Sequence, residues 1–181
     1  MASTSSSSSS SSSLRLSLLL CFVCAFFTSP STSNPLADLC AKSKNPKFCL
    51  SVLYDYQSLN LHVLTETTIK FAEANATATV SKISLLLNQT SDPKLEVIYN
   101  LCKTNYNGAV RNLVDAEQYL SIGQYQNLST AAVIVGQNAF NCETAFNVTP
   151  GYFSNITKEN DDLQNFSGIL VASAELFLGS S

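Results

Sequence analysis

The residues with chemistry to offer are few: six cysteines, a single histidine, thirteen carboxylates and six Asn-x-Ser/Thr sequons in a chain of 181 residues. Cysteine offers the clearest chemistry. Cys102 and Cys142 lie symmetrically about residue 122, where Ile122-Gly123 interrupts the apolar periodicity. If the chain between them is two antiparallel helices, each arm runs about 20 residues, or about 30 Å, and both arms return to a common level. The two sulfurs then meet, and the chemistry is oxidation to a disulfide. Closing a loop of about 40 residues stabilises the fold by about 4 kcal/mol on the chain-entropy account.

Catalytic chemistry finds no such support. His62 is the only histidine, so neither a histidine metal cluster nor a Ser-His-Asp triad can be assembled, and a surface or capping role fits it better. Asp115 and Glu117 point to different faces of a helix, and Asp161 and Asp162 are adjacent at a helix start, so neither pair faces across a cleft as glycosidase carboxylates must. The mature chain has no Gly-x-Ser-x-Gly elbow, phosphate-cradling loop or Cys-x-x-Cys. No catalytic residue, metal ligand or cofactor is expected.

Residues 14–27 are apolar apart from Arg15 and Ser17. The run is too short to span a bilayer but suits the core of a secretory signal, with cleavage after Ser33 or a few residues earlier. The serine run Ser5–Ser13, free of acids, would also suit a chloroplast transit peptide, but a compact apolar block would not. Removing 1–33 takes Cys21 and Cys24 with it, leaving Cys40, Cys49, Cys102 and Cys142. An even set in an oxidising compartment reads as two disulfides with three possible connectivities, and geometry selects Cys40 with Cys49 and Cys102 with Cys142. Nine basic residues then stand against thirteen acidic ones, a net charge of −4. That balance disfavours nucleic acid, anionic membranes and polyanionic polysaccharide as direct partners.

The elements that must position these groups are helices. Leu95, Ile98, Cys102, Ala109, Leu113, Ala116 and Leu120 repeat at threes and fours, with one longer gap at Asn105 or Tyr106, as do Leu128, Ala131, Val135, Ala139, Cys142 and Phe146. A third seam, Ile69, Ala72, Ala76, Val80, Ile83 and Leu87, lies in a helix from Leu59 to about Asn88. A fourth runs through Leu163, Phe166, Leu170, Ser173 and Phe177, with Thr157 as its expected cap. Asp92-Pro93 is a strong helix start, and Gly108 inside its helix suggests a tight crossing. Ahead of these, Pro35–Cys40 and the segment after Asn45-Pro46 form two short helices. The predicted fold is all-α: an up-and-down four-helix bundle over 58–181, with a disulfide-stapled N-terminal hairpin over 34–57.

In a secreted chain the sequons are potential glycan carriers. Loop placement favours Asn88 and Asn155; Asn127 sits just past the central turn, and Pro150 weakens Asn147. Asn75 and Asn165 fall within helices.

The hairpin Leu39-Cys40 to Asn45-Pro46-Lys47-Phe48-Cys49, the Tyr99–Leu120 helix with Cys102, the Gly123-Gln124-Tyr125 turn and Asn141-Cys142-Glu143 with Phe146 together resemble the plant invertase and pectin methylesterase inhibitor family. Ile156-Thr157-Lys158-Glu159-Asn160 is similar to its putative invertase inhibitor branch, which includes pollen allergens. The resemblance implies a four-helix bundle with the same cysteine pairing, secreted to the cell wall, that inhibits a carbohydrate-active enzyme by one-to-one docking. The target is either pectin methylesterase or acid invertase. Cell-wall invertase inhibitors of the family carry Pro-Lys-Phe after the central turn; here Tyr125, Gln126 and Asn127 occupy that place and become the expected contacts. Pro46-Lys47-Phe48 lies instead in the first cysteine loop. A helical bundle that binds an apolar ligand or another protein without inhibiting an enzyme is the alternative.

Overall fold

The computed structural model describes residues 34–180; residues 1–33, where the secretory signal is expected, lie outside the described residues. The described residues form six α-helices: α1 Pro35–Lys42, α2 Pro46–Leu53, α3 Leu61–Gln89, α4 Pro93–Ser121, α5 Tyr125–Asn147 and α6 Thr157–Gly179. A short 3₁₀ turn, Tyr54–Tyr56, follows α2, and no strand occurs among the described residues.

Local chemistry explains where most of these helices begin. Asn34, Asn45, Asn60 and Asp92 each stand outside the helical region and accept backbone N–H groups from the first turn, at 2.8–3.2 Å, and three of the four are followed by proline at the first helical position. Asn60 is why α3 starts at Leu61 rather than Leu59. Helix α6 departs from the sequence reading. Thr157 is its first helical residue, not its cap, and the Thr157 hydroxyl donates to Glu143 Oε1 at 2.9 Å. Ser154 Oγ instead accepts the Ile156 N–H just ahead of the helix.

Helices α3 to α6 form a closed up-and-down ring in which α3 packs on α4, α4 on α5, α5 on α6 and α6 back on α3. The α1–α2 hairpin lies mainly against α6, with further contact from α1 to α3. The four seams form one core, and Tyr106, fully buried, fills the longer gap in the α4 stripe. Three threonines of α3 join that core: Thr65, Thr68 and Thr79 are buried and donate to the carbonyls four residues earlier at 2.7–2.8 Å. A buried hydroxyl satisfied within its own helix leaves no unpaired donor.

Both disulfides sit in this frame. Cys40 and Cys49 join α1 to α2 with their Cα atoms 5.3 Å apart, and Cys102 and Cys142 join α4 to α5 at 4.6 Å. Gly123, at φ +69°, turns the chain between α4 and α5 in a conformation that glycine alone adopts without strain.

Candidate functional site

The central turn delivers Tyr125, Gln126 and Asn127 to the first turn of α5, but not to one surface. Gln126 and Asn127 are exposed, and Asn127 Nδ2 donates to Gln124 Oε1 at 2.7 Å. Tyr125 is half-buried, its ring stacked on Phe177 of α6. Its aromatic face therefore braces two helices, and Gln126 and Asn127 form the exposed part of the expected contact set.

From there an uncharged face continues up α5. Thr130, Val133, Ile134, Gln137, Phe140 and Asn141 are all exposed, and the first charged residue of the helix is Glu143. Val133, Ile134 and Phe140 are 55%, 42% and 51% exposed, which is high for side chains of their apolar area. Exposed apolar side chains occur elsewhere too, Val97, Leu101 and Val114 on α4 among them, but α3 and α4 also carry charge, with Glu66, Glu73 and Glu117 near Lys70. Burial, with help from the Glu117 charge, holds the Glu73 carboxyl above its ordinary value.

Both flanks of α5 are grooved. On the α6 side Val133, Gly136, Gln137 and Phe140 meet Gln164 and Ser167, with Lys44 of the hairpin link at the edge, around a shallow groove of about 310 Å³. On the α4 side a smaller recess lies between Asp115, Tyr119 and Ile134. Small residues set the first groove. A Cβ on Gly136 would lie 2.5 Å from Ser167 Oγ, and that hydroxyl donates to Ala132 O across the interface at 2.7 Å. The tight crossing expected at Gly108 is milder, since a Cβ there would meet the Asn138 amide at 3.4 Å.

At the opposite pole a polar chain ties the helix ends. Tyr106 Oη donates to Asn160 Oδ1 at 2.8 Å, Asn160 Nδ2 donates to Glu143 Oε2 at 2.6 Å, and Lys82 pairs with Glu159 at 2.7 Å. Burial pushes the Tyr106 phenol far above its ordinary range, so it stays a neutral donor and serves structure rather than proton transfer.

The carboxylates considered for catalysis remain apart. Asp115, Glu117 and Asp161 are exposed, Asp162 pairs with Lys158, and His62 is exposed on the first turn of α3. No group of three metal-ligating side chains occurs among the described residues. No described helix is long and apolar enough to cross a membrane.

Of the sequons, Asn88 and Asn147 are exposed in the last turns of α3 and α5 rather than in loops, Asn127 is exposed in α5, and Asn155 is exposed in the α5–α6 loop. Asn75 is half-buried with its Oδ1 buried and unpartnered, and half-buried Asn165 accepts a hydrogen bond from Asn45.

Sequence reasoning missed Val133, Ile134 and Phe140 as surface residues. A signal was available: Ala131–Val135 is wholly apolar, wider than one buried stripe needs.

The stapled ring of helices, with an uncharged outer face on α5 and no reaction centre assembled among the described residues, defines a helical-bundle protein. Residues 34–172 match the plant invertase/pectin methylesterase inhibitor family, and the chain belongs to it. Membership places it among inhibitor proteins rather than enzymes. It is similar to the pectinesterase inhibitor of Actinidia deliciosa, with 32% identity over 92% of this chain and 95% of that relative. Pectinesterase inhibitor 1 of Arabidopsis thaliana is 27% identical over 76% of this chain and 79% of its own length. Among solved structures, the crystal structure of a mutant form of a pectin methylesterase inhibitor from Arabidopsis superposes with a TM-score of 0.73, at 26% identity, over 80% of this chain and 97% of that one.

Proposed function

We propose that this protein is secreted to the cell wall and inhibits pectin methylesterase there, docking one-to-one through the outer face of α5. The single observation that carries the docking face is the run of exposed, uncharged side chains from Gln126 to Asn141, with Val133, Ile134 and Phe140 as apolar anchors. An exposed apolar strip rimmed by neutral polar groups can be desolvated against a partner without stranding a charge. The Cys102–Cys142 disulfide ties α5 to α4 and helps hold that strip in place, so little ordering entropy opposes docking. The esterase is favoured over acid invertase because the relatives of known target are named pectinesterase inhibitors and because Pro46-Lys47-Phe48 begins α2, away from the central turn. Glycans at Asn88, Asn147 and Asn155 would cluster at the pole remote from the first turn of α5, whereas one at Asn127 would stand on the proposed face.

The test mixes the mature protein with pectin methylesterase and, in parallel, with acid invertase at mildly acid pH. Esterase activity falls to completion at a one-to-one ratio and invertase activity persists. A Phe140→Asp variant with unchanged helicity needs at least about tenfold more protein for half-inhibition, as expected on losing an interface anchor. Full esterase activity at micromolar excess of the native protein rejects the reading.

A further inference from the structure

Phe153 is 87% exposed, more than any other large apolar side chain among the described residues. It sits in the α5–α6 loop two residues before Asn155 of the sequon Asn155-Ile156-Thr157, and residues 152–154 take no regular secondary structure. Outside a helix, residues two apart are not turned to different faces by the helical rotation. Ser154 between them is half-buried; its hydroxyl accepts the Ile156 N–H at 3.1 Å and its carbonyl accepts from the Thr157 hydroxyl. Phe153 and Asn155 are both exposed.

We infer that Asn155 carries an N-linked glycan and that the Phe153 ring is the platform for its first sugar. The inference rests on the secretion reading above. In the secretory lumen, Asn155 Nδ2 displaces a lipid pyrophosphate from the anomeric carbon of the oligosaccharide it carries. The N–C bond forms, the C–O bond to pyrophosphate breaks, and the proton lost from the amide leaves with the lipid pyrophosphate. The substituted amide keeps one N–H, which can retain the 3.5 Å contact from Asn155 Nδ2 to the Tyr99 hydroxyl and so orient the linkage. The C–H face of an N-acetylglucosamine is apolar with a slightly positive edge, and it complements the negative face of an aromatic ring. Covering Phe153 also removes apolar area from water.

The other sequons lack this arrangement. Tyr125 stands two residues before Asn127, but within a helix, where i and i+2 do not share a face, and its ring is already stacked on Phe177. Asn75, Asn88, Asn147 and Asn165 are helical and have no aromatic residue two positions before them.

The test expresses the full chain in plant cells, alongside a version in which a host leader replaces residues 1–33, and maps glycopeptides in the exported protein. Asn155 is expected to be occupied, and the glycosylated protein is expected to melt about 2–4 °C above its Asn155→Gln variant. Trimming the glycan to one sugar keeps that shift. Phe153→Ala abolishes it in the glycosylated protein yet leaves the melting point of unglycosylated bacterial protein unchanged. Exported protein with Asn155 bare overturns the inference while leaving secretion intact, as does a shift that persists without Phe153. Retention of the full chain in the cell, with the host-leader version exported and modified at Asn155, rejects the secretion reading and supports the glycan site.

Discussion

The Tyr125 ring lies flat on Phe177, with centroids 4.3 Å apart and planes 9° from parallel. The first turn of α5 is thereby clamped to the last turns of α6, beside the exposed Gln126 and Asn127. Stacked aromatic pairs contribute about 0.5–1.5 kcal/mol beyond their area burial. Tyr125→Ala should therefore cost about 1–2 kcal/mol in denaturant unfolding, whereas Tyr125→Phe, which keeps the stack, should unfold and inhibit like the native protein. A loss of inhibition in stable Tyr125→Phe would assign the hydroxyl a direct contact.

Gly136→Ala tests the groove beside α5. The new methyl group would lie 2.5 Å from Ser167 Oγ and 3.0 Å from its Cβ, and overpacking of this kind costs about 1–3 kcal/mol. Combining it with Ser167→Ala removes the worse of the two clashes. Urea unfolding of the two single variants and the double should show a favourable coupling.

The two staples should differ in worth. On chain-entropy grounds the bridge spanning 40 residues, Cys102–Cys142, contributes about 4 kcal/mol and the one spanning 9, Cys40–Cys49, about 2.5. Replacing each pair by alanine and measuring the unfolding midpoint should therefore rank Cys102/Cys142 as the costlier loss. A non-reducing peptide map joining Cys40 to Cys102 would contradict the pairing itself.

Acid should loosen the pole around Lys82. Burial acts to raise the Glu159 carboxyl, but the hydrogen bond from Lys82, backbone bonding and nearby positive charge outweigh it and hold the group below its ordinary 4.5. Asp92 is held below its ordinary 3.8 mainly by the Tyr152 hydroxyl, bonded at 2.8 Å, and then by the Lys94 N–H. A carboxyl depressed by folding stabilises the protein above its unfolded value, and that stability is lost as pH falls through the folded one. The midpoint of unfolding should thus decline below about pH 4 in the native protein. Lys82→Met should be less stable than the native protein at pH 7, with the gap closing by about pH 3, followed by thermal scans across the range.

Much of this architecture could be read from residue order alone. The core stripes of α4 and α5, the Asp92-Pro93 start and the reversal at Gly123 depend on helical period and cap chemistry, which act over a few neighbouring residues. The resemblance to the inhibitor family came from the same local marks around the cysteines. What lay beyond the stripes depended on how the helices are rotated against one another, and that is set by contacts distant in sequence, such as Ser167 against Gly136. Only the assembled bundle turns the Tyr125 ring onto Phe177 and leaves Gln126 and Asn127 outside. It also buries Thr65, Thr68 and Thr79, sends the Thr157 hydroxyl to Glu143 instead of the helix end, and leaves Val133, Ile134 and Phe140 facing water. A periodic pattern defines a helix's buried side, but the boundary of that side is drawn by how closely its neighbours approach.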